Sequence, residues 1–365
     1  MSRKRVVLSD VVESWRQQGP LVHFASCFPT LDDLTGGGPV FGTRWYLLGA
    51  PDASKTLLLS LWADVWSRCG ITVGMLAVDE EPEDLAQRFI QRLPMSPKDT
   101  ARFQRIHCEA RDPRVLDLMS RAVEGSTVVF YDSQWTVESA AGDLLEYSAS
   151  NGKKPIGSAM LFDSVQTIEC DALRKMTREI DLRTRITANV QAIRNVATKY
   201  KMITVSSSEM NRAAYRAIGT IEQDDMAAAK ESGAIEYSAR VMISLRPVKD
   251  EDDMIEMRVV KNKHGRRYPS AEAIYLQLDR ATQHLQECAG PEKGDPLDRE
   301  LAELVASRPV GATTDWLRAQ VRRKRADVIA AMLRLEALGL VKRHEGDKSP
   351  WVACIVPDAD SDEFP

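Results

Sequence analysis

A lysine, a hydroxyl and a turn of small residues come together at Gly49-Ala50-Pro51-Asp52-Ala53-Ser54-Lys55-Thr56. A turn of this kind, placed at the start of a helix, can surround a polyphosphate with backbone N–H groups and the positive end of the helix. The lysine then adds a point charge, and the threonine hydroxyl can ligate a magnesium ion. The strict pattern has glycine where Ser54 stands, so the stretch is a phosphate-binding loop with one departure. Two sets of carboxylates could join it. Asp79-Glu80-Glu81 and either Asp132 or Asp163 each follow an apolar run, where open α/β sheets place their ligands. An aspartate in that position can hold magnesium through water. Strand form alone does not choose between Asp132 and Asp163, and each also suits a plain turn. Glu81-Pro82-Glu83-Asp84 equally suits the start of a helix.

The elements that must position these residues follow from the apolar pattern. Trp45–Leu48 reads as a buried strand and Leu57–Trp62 as the helix after the loop. Further strands are expected at Ile71–Val78, Thr127–Asp132, Ser158–Asp163, Met202–Ser206, Ala239–Leu245 and Met254–Val260. A turn is expected at 148–154, and one long helical pattern over 171–200 with Ile180, Ile186, Val190, Ile193 and Val196 on its packed face. Strands alternating with helices predict an α/β fold with a mainly parallel sheet covered on both faces.

With 365 residues, the chain has room for one large α/β domain and a small one. Its net charge of -4 gives no global sign of nucleic-acid binding, so any such surface must be local. The longest apolar runs fall short of a bilayer span, and Met1-Ser2-Arg3-Lys4-Arg5 lacks a secretory apolar core, so a cytoplasmic protein without membrane contact is expected. Cys27, Cys69, Cys108, Cys170, Cys288 and Cys354 contain no C-x-x-C pair, which predicts reduced, packed thiols and no zinc site.

Six blocks in order resemble the RecA-like motor domain of DnaB-type replicative helicases: the lead-in Phe28–Gly42 with the phosphate loop, Val78–Pro82 with Arg88, Leu161–Gln166, Ser208–Arg212, Glu231–Glu236 and Lys261–Gly265. The resemblance covers residues 25 to 280. It implies ATP and Mg2+ as cofactors. Lys55 and the loop from Gly49 to Thr56 would hold the phosphates, and Thr56 and Asp163, chosen over Asp132, would hold the metal. Glu80 would be the catalytic glutamate, with Arg88 in the same block. Glu209 and Arg212 would lie in the block that senses the γ-phosphate and couples to DNA. Lys261 and Lys263 would be basic fingers reaching the next subunit's nucleotide, which implies a homo-oligomer such as a hexameric ring, or a filament; read without the resemblance, they form a basic strand end or a solvated hairpin tip. Three positions depart from the family. Ser54 replaces glycine, Glu209 stands for the usual glutamine, and Lys263 stands for an arginine and cannot make its planar two-pronged contact.

After a Pro- and Gly-containing stretch at 287–296, three helical patterns, Leu297–Ser307, Thr314–Val321 and Ala326–Leu338, precede two short strands around the turn His344–Ser349. This resembles a winged helix-turn-helix. Between Trp316 and Lys348 nine Lys/Arg face four Asp/Glu. Arg322, Arg323, Lys324 and Arg325 lie just before the third helix, where a recognition helix meets phosphate, and Lys342 and Arg343 lie at the wing. The same fold also serves protein contacts.

The expected organisation is therefore an extension at 1–24, an ATPase domain at 25–286, a linker at 287–296, a winged helix at 297–356 and an acidic disordered tail at 357–365. The leading reading is an ATP-dependent helicase, loader or initiator in the replication of a plasmid, phage or other mobile element. It would bind single strands through the ATPase ring and duplex through the winged helix. The alternatives are a non-hydrolysing, nucleotide-sensing DNA-binding regulator and a KaiC-like signalling ATPase.

Overall fold

The computed structural model describes residues 22–92, 123–150, 156–177, 179–209, 233–248, 251–263, 273–290, 296–308, 311–337, 341–343 and 350–353, with Leu8, Glu13 and Ser120. Arg212, Glu231, Ser232, His264, Gly265, the turn 344–349 and the tail lie outside the described residues.

The chain divides into two units, Met1–Cys288 and Ala289–Pro365. In the first, the described elements run α1 (Pro29–Thr35), β1 (Arg44–Gly49), α2 (Lys55–Arg68), β2 (Ile71–Ala77), α3 (Pro82–Gln91), β3 (Val128–Tyr131), α4 (Val137–Ser150), β4 (Gly157–Asp163), α5 (Asp171–Arg174), α6 (Leu182–Tyr200), β5 (Ile203–Glu209), α7 (Gly233–Ser238), β6 (Val241–Val248), β7 (Glu251–Asn262), β8 (Ile274–Asp279) and β9 (His284–Cys288). The strands form one sheet in the order β3-β2-β4-β5-β1-β6-β7-β8-β9. It is parallel from β3 to β6 and antiparallel from β6 to β9.

The central strands are apolar on both faces because helices cover both. On one side Trp45, Leu47, Val73, Leu161 and Val205 pack under α2. On the other, Tyr46, Leu48, Leu76, Met160 and Phe162 pack under α4 and α6. Trp62 and Trp66 of α2 stack with ring centroids 5.6 Å apart, and their indole N–H groups donate to the carbonyls of Ser26 and Ala25. These bonds tie the lead-in segment to α2. The segment is closed by a glycine turn in which Gly38 has φ of +86° and no room for a Cβ, whose position falls 2.1 Å from the Phe24 carbonyl oxygen.

Several elements differ from expectation. The helical pattern over 171–200 is two helices, because Asp181 caps α6 by accepting from the Thr184 N–H at 2.9 Å. Ser148, Ala149 and Ser150 belong to α4 rather than to a turn; Ser148 is buried against Thr72. Strand β5 continues to Glu209 through Ser206, Ser207 and Ser208, all buried. Strands β8 and β9 extend the sheet, and β9 takes in Glu287 and Cys288, the first two positions of the expected linker. Cys27 and Cys69 are free but exposed, not packed. No helix among the described residues is long and apolar enough to cross a membrane.

The second unit holds α8 (Pro296–Ala306), α9 (Thr314–Val321), α10 (Arg325–Ala337), β10 (Val341–Arg343) and β11 (Trp351–Ala353). The two strands pair antiparallel, and Leu301, Leu317, Val328, Met332, Val341 and Trp351 form a core of their own.

Candidate functional site

The loop Ala50–Ser54 joins β1 to α2, so its backbone crosses the carboxyl end of the parallel sheet. Gly49 must be glycine. A Cβ there would stand 2.9 Å from both the Ala53 Cβ and the Leu245 carbonyl oxygen. Asp52 and Ser54 have φ of +64° and +60°, the left-handed region that glycine enters most easily. Ser54 makes no side-chain capping bond, so its hydroxyl does not offset that conformation.

Lys55 is buried and folds back on the loop, donating to the carbonyls of Gly49 at 3.0 Å and Ala50 at 2.6 Å. Burial lowers its pKa, with Asp163, Glu209 and Asp52 pulling the other way. The site thus holds a desolvated cation among carboxylates. Thr56 donates to Asp163 Oδ2 at 2.5 Å, and Ser207 donates to Oδ1 of the same carboxylate.

That pair of contacts separates the two candidate aspartates. Asp132 follows β3 at the edge of the sheet and accepts from the Gln134 N–H at 2.9 Å, as a turn residue does. Strand β4 does not lie beside β1; β5 stands between them, and Ser207 of β5 bridges the gap to Asp163. Ser207 was not among the candidates. Its signal in the sequence was three serines running on from the apolar Ile203-Thr204-Val205.

Glu80 lies in the turn after β2 and is gripped by Arg88 of α3 through two contacts, Nη2 to Oε1 at 2.9 Å and Nη1 to Oε2 at 2.6 Å. Glu83 and Asp84 occupy the first turn of α3, so the acid-rich stretch both starts a helix and presents a held carboxylate. Glu209 ends β5 directly opposite Gly49, exposed, and its backbone carbonyl accepts from Gln166 at 3.2 Å.

Lys261 and Lys263 are not brought to this loop. Met242 of β6 pairs with both Tyr46 of β1 and Lys261 of β7, at the amino end of the parallel strands. Lys261 donates to the Glu236 carbonyl and Lys263 to the Tyr237 carbonyl at 3.4 Å. Of the two readings, strand end or hairpin tip, Lys261 takes the first, near the end of β7, and its pKa is lowered by burial and by Lys263.

In the second unit Arg322, Arg323, Lys324 and Arg325 are exposed at the start of α10, with Arg325 3.5 Å from Asp315. Lys342 and Arg343 are exposed on β10; the Arg343 guanidinium lies 4.5 Å from the centre of the Trp351 ring.

No family model matches the sequence, and no curated protein matches it. Solved structures do. An ATPase domain aligns with TM-score 0.63 and 14% identity over 78% of this chain and 100% of its own. A DnaB-like replicative helicase, solved with its interactions with primase, aligns with TM-score 0.58 and 16% identity over 78% of this chain and 67% of its own. A KaiC-like protein from Pyrococcus horikoshii aligns with TM-score 0.47 and 14% identity over 74% of this chain and 100% of its own. At such identities the fold is what is shared: the first unit has the RecA-like fold of the DnaB-like helicase ATPase domains.

Proposed function

We propose that the chain is an ATP-hydrolysing, DNA-binding protein that acts in replication, as a helicase, loader or initiator of a plasmid, phage or other mobile element. The contact between Thr56, at the start of α2, and Asp163, at the end of β4, carries the reading. It joins the phosphate loop to an acid 107 residues away, and such a pair is what a magnesium ion beside a polyphosphate requires. The cradle at Gly49, the desolvated Lys55 and the Thr56–Asp163 pair fit ATP with Mg2+. When bound, the ion neutralises charge on the phosphates.

The protein's own part is positioning. Lys55 leaves the loop carbonyls for the β- and γ-phosphates, and the loop amides hold the rest. Glu80, oriented by Arg88, directs a water at the γ-phosphorus; the bond to the β-phosphate oxygen breaks, leaving ADP and phosphate. Lys261 and Lys263 act on a neighbouring copy's nucleotide, in a ring or filament. Arg212 and Glu209 couple the site to single-stranded DNA. The second unit is a winged helix-turn-helix that binds duplex DNA through Arg322, Arg323, Lys324, Arg325, Lys342 and Arg343.

The test is steady-state ATP hydrolysis with and without single-stranded DNA. Turnover that rises with DNA and disappears in Lys55→Ala and Glu80→Gln is the expected result. Turnover that survives both changes would overturn the assignment.

A second reading, a nucleotide sensor without turnover, is favoured by Glu209, which sets an acid directly across from Gly49. It predicts magnesium-dependent ATP binding without hydrolysis, and turnover gained in Glu209→Gln.

A further inference from the structure

The third helix of the second unit meets solvent with an apolar row. On its core side α10 packs Val328, Ala331, Met332 and Leu335. On the opposite side Ala326, Ala330 and Leu333 are exposed, Leu333 to 48%. Their spacing of four and three residues stacks them in one line along the helix. Asp327 and Glu336 lie to either side of the row, and both are exposed acids. Each of the two arginines of the helix is engaged by a carboxylate. Arg334 holds Asp298 of α8 with two bonds, Nε to Oδ2 at 2.8 Å and Nη2 to Oδ1 at 2.6 Å. Arg325 lies off the row, 3.5 Å from Asp315 of α9. No lysine, asparagine or glutamine occurs in α10.

The exposed cations are placed before and after this helix instead. Arg322, Arg323 and Lys324 occupy the turn that leads into α10, and Lys342 and Arg343 lie on β10 after it. The small sheet has a third segment. Ala312, between α8 and α9, exchanges two backbone bonds with Trp351 of β11, at 2.8 and 2.9 Å. This sheet, α8 and α9 share the core side of α10, so the row of Ala326, Ala330 and Leu333 is left bare. A major groove admits a helix of this width, and the cations suit the phosphates that line it. Phosphate contacts hold a protein on the duplex and carry no sequence. Sequence is read by side chains that hydrogen-bond base edges, chiefly Arg, Lys, Asn and Gln. Among its described side chains α10 sets none of these four in the row, and its exposed acids are repelled by phosphate.

We propose that the second unit lays the apolar row of α10 against duplex DNA, holds the duplex by its phosphates and does not read a base sequence. The inference rests on the duplex-binding reading of this unit and deepens it. An initiator must pick its site from about 10⁶–10⁹ competitors, which takes contacts to the bases. A unit without them suits a helicase or a loader, so of the three roles the helix favours these two.

The test uses the full chain without nucleotide. Fluorescence anisotropy measures its binding to labelled duplexes of equal length and unrelated sequence, and a randomised duplex pool is carried through rounds of selection. Affinities within about tenfold of one another, a common salt slope and no enriched sequence are the expected result. A selected sequence bound more than about tenfold tighter than the pool would overturn the proposal. So would a preference for thymine that vanishes when uracil replaces it, because the apolar row would then be reading the methyl group. Ala330→Glu sets an acid in the middle of the row, at an exposed position outside the core. It should weaken binding to every duplex by about tenfold or more, with ATP binding and thermal stability as in the parent. Parent-like duplex binding in this variant would take α10 off the DNA and overturn the proposal; if the same change dissociates the protein in sedimentation, the row belongs to a second copy. A parent chain that binds no duplex at all would sink the duplex reading itself, and the proposal with it.

Discussion

At the scale of single residues, the phosphate loop carries two costs that can be measured. Ser54 holds φ of +60° with no capping bond from its hydroxyl. For a residue with a Cβ that conformation costs about 1–2 kcal/mol. Ser54→Gly relieves it but adds freedom to the unfolded chain, so denaturant melts should place this variant within about 1 kcal/mol of the parent. Ser54→Val, β-branched in the same conformation, should lose about 2 kcal/mol or more. Equal effects of the two would mean that the backbone is not left-handed there. Lys55 carries the second cost, since burial lowers its pKa. Between that lowered value and the ordinary lysine value the unfolded chain binds the extra proton, so this group makes stability rise with pH across the window. Phosphate beside the ammonium raises its pKa again. ATP binding should therefore take up a proton at alkaline pH, read by calorimetry in buffers of different ionisation enthalpy; no uptake there would contradict the buried, desolvated lysine.

At the scale of elements, α2 both positions Thr56 and anchors the lead-in. Trp62→Phe keeps most of the ring stacking on Trp66 but removes the donor to the buried Ser26 carbonyl, 2.8 Å away. Leaving that acceptor unmet should cost about 1–3 kcal/mol. Trp66→Phe strips a carbonyl nearer solvent, at 3.0 Å, and should cost less. Thermal melts that rank the two the other way would remove the lead-in contact from the stability of α2. The apolar runs made β1, β2 and β4 legible in the sequence, because strands buried on both faces leave no alternation to misread. The carboxyl half of β5 was not legible. Ser207 and Ser208 lie beyond the strand expected at Met202–Ser206, yet Ser207 is spent on Asp163 inside the sheet. The eight-residue loop pattern pointed to Lys55 and Thr56, whereas Asp163 was preferred over Asp132 only through the family resemblance, because which strand end meets the loop depends on strand order, which no local spacing encodes.

At the scale of the whole molecule, charge is arranged rather than accumulated. A net charge of -4 hides local surfaces of opposite sign: Asp52, Asp79, Glu81 and Glu209 are exposed on the loops and strand ends at the carboxyl side of the parallel strands, while the second unit exposes Arg322, Arg323, Lys324 and Arg325. Each unit has a core of its own, so the basic surface can be weakened without touching the acidic one. Changing Arg322, Arg323 and Lys324 together to alanine removes three exposed charges and no buried contact. If each meets one phosphate, the slope of log K against log salt for duplex binding should fall by about 3, near 0.9 per contact. Nucleotide binding, which depends on Lys55 and the loop of the other unit, should stay as in the parent. Fluorescence anisotropy of a labelled duplex across a salt series, beside ATP titrations of the same variant, reads both quantities. An unchanged salt slope would take duplex DNA away from this surface and leave it to a protein partner, while a loss of ATP binding as well would mean that the two units do not act separately.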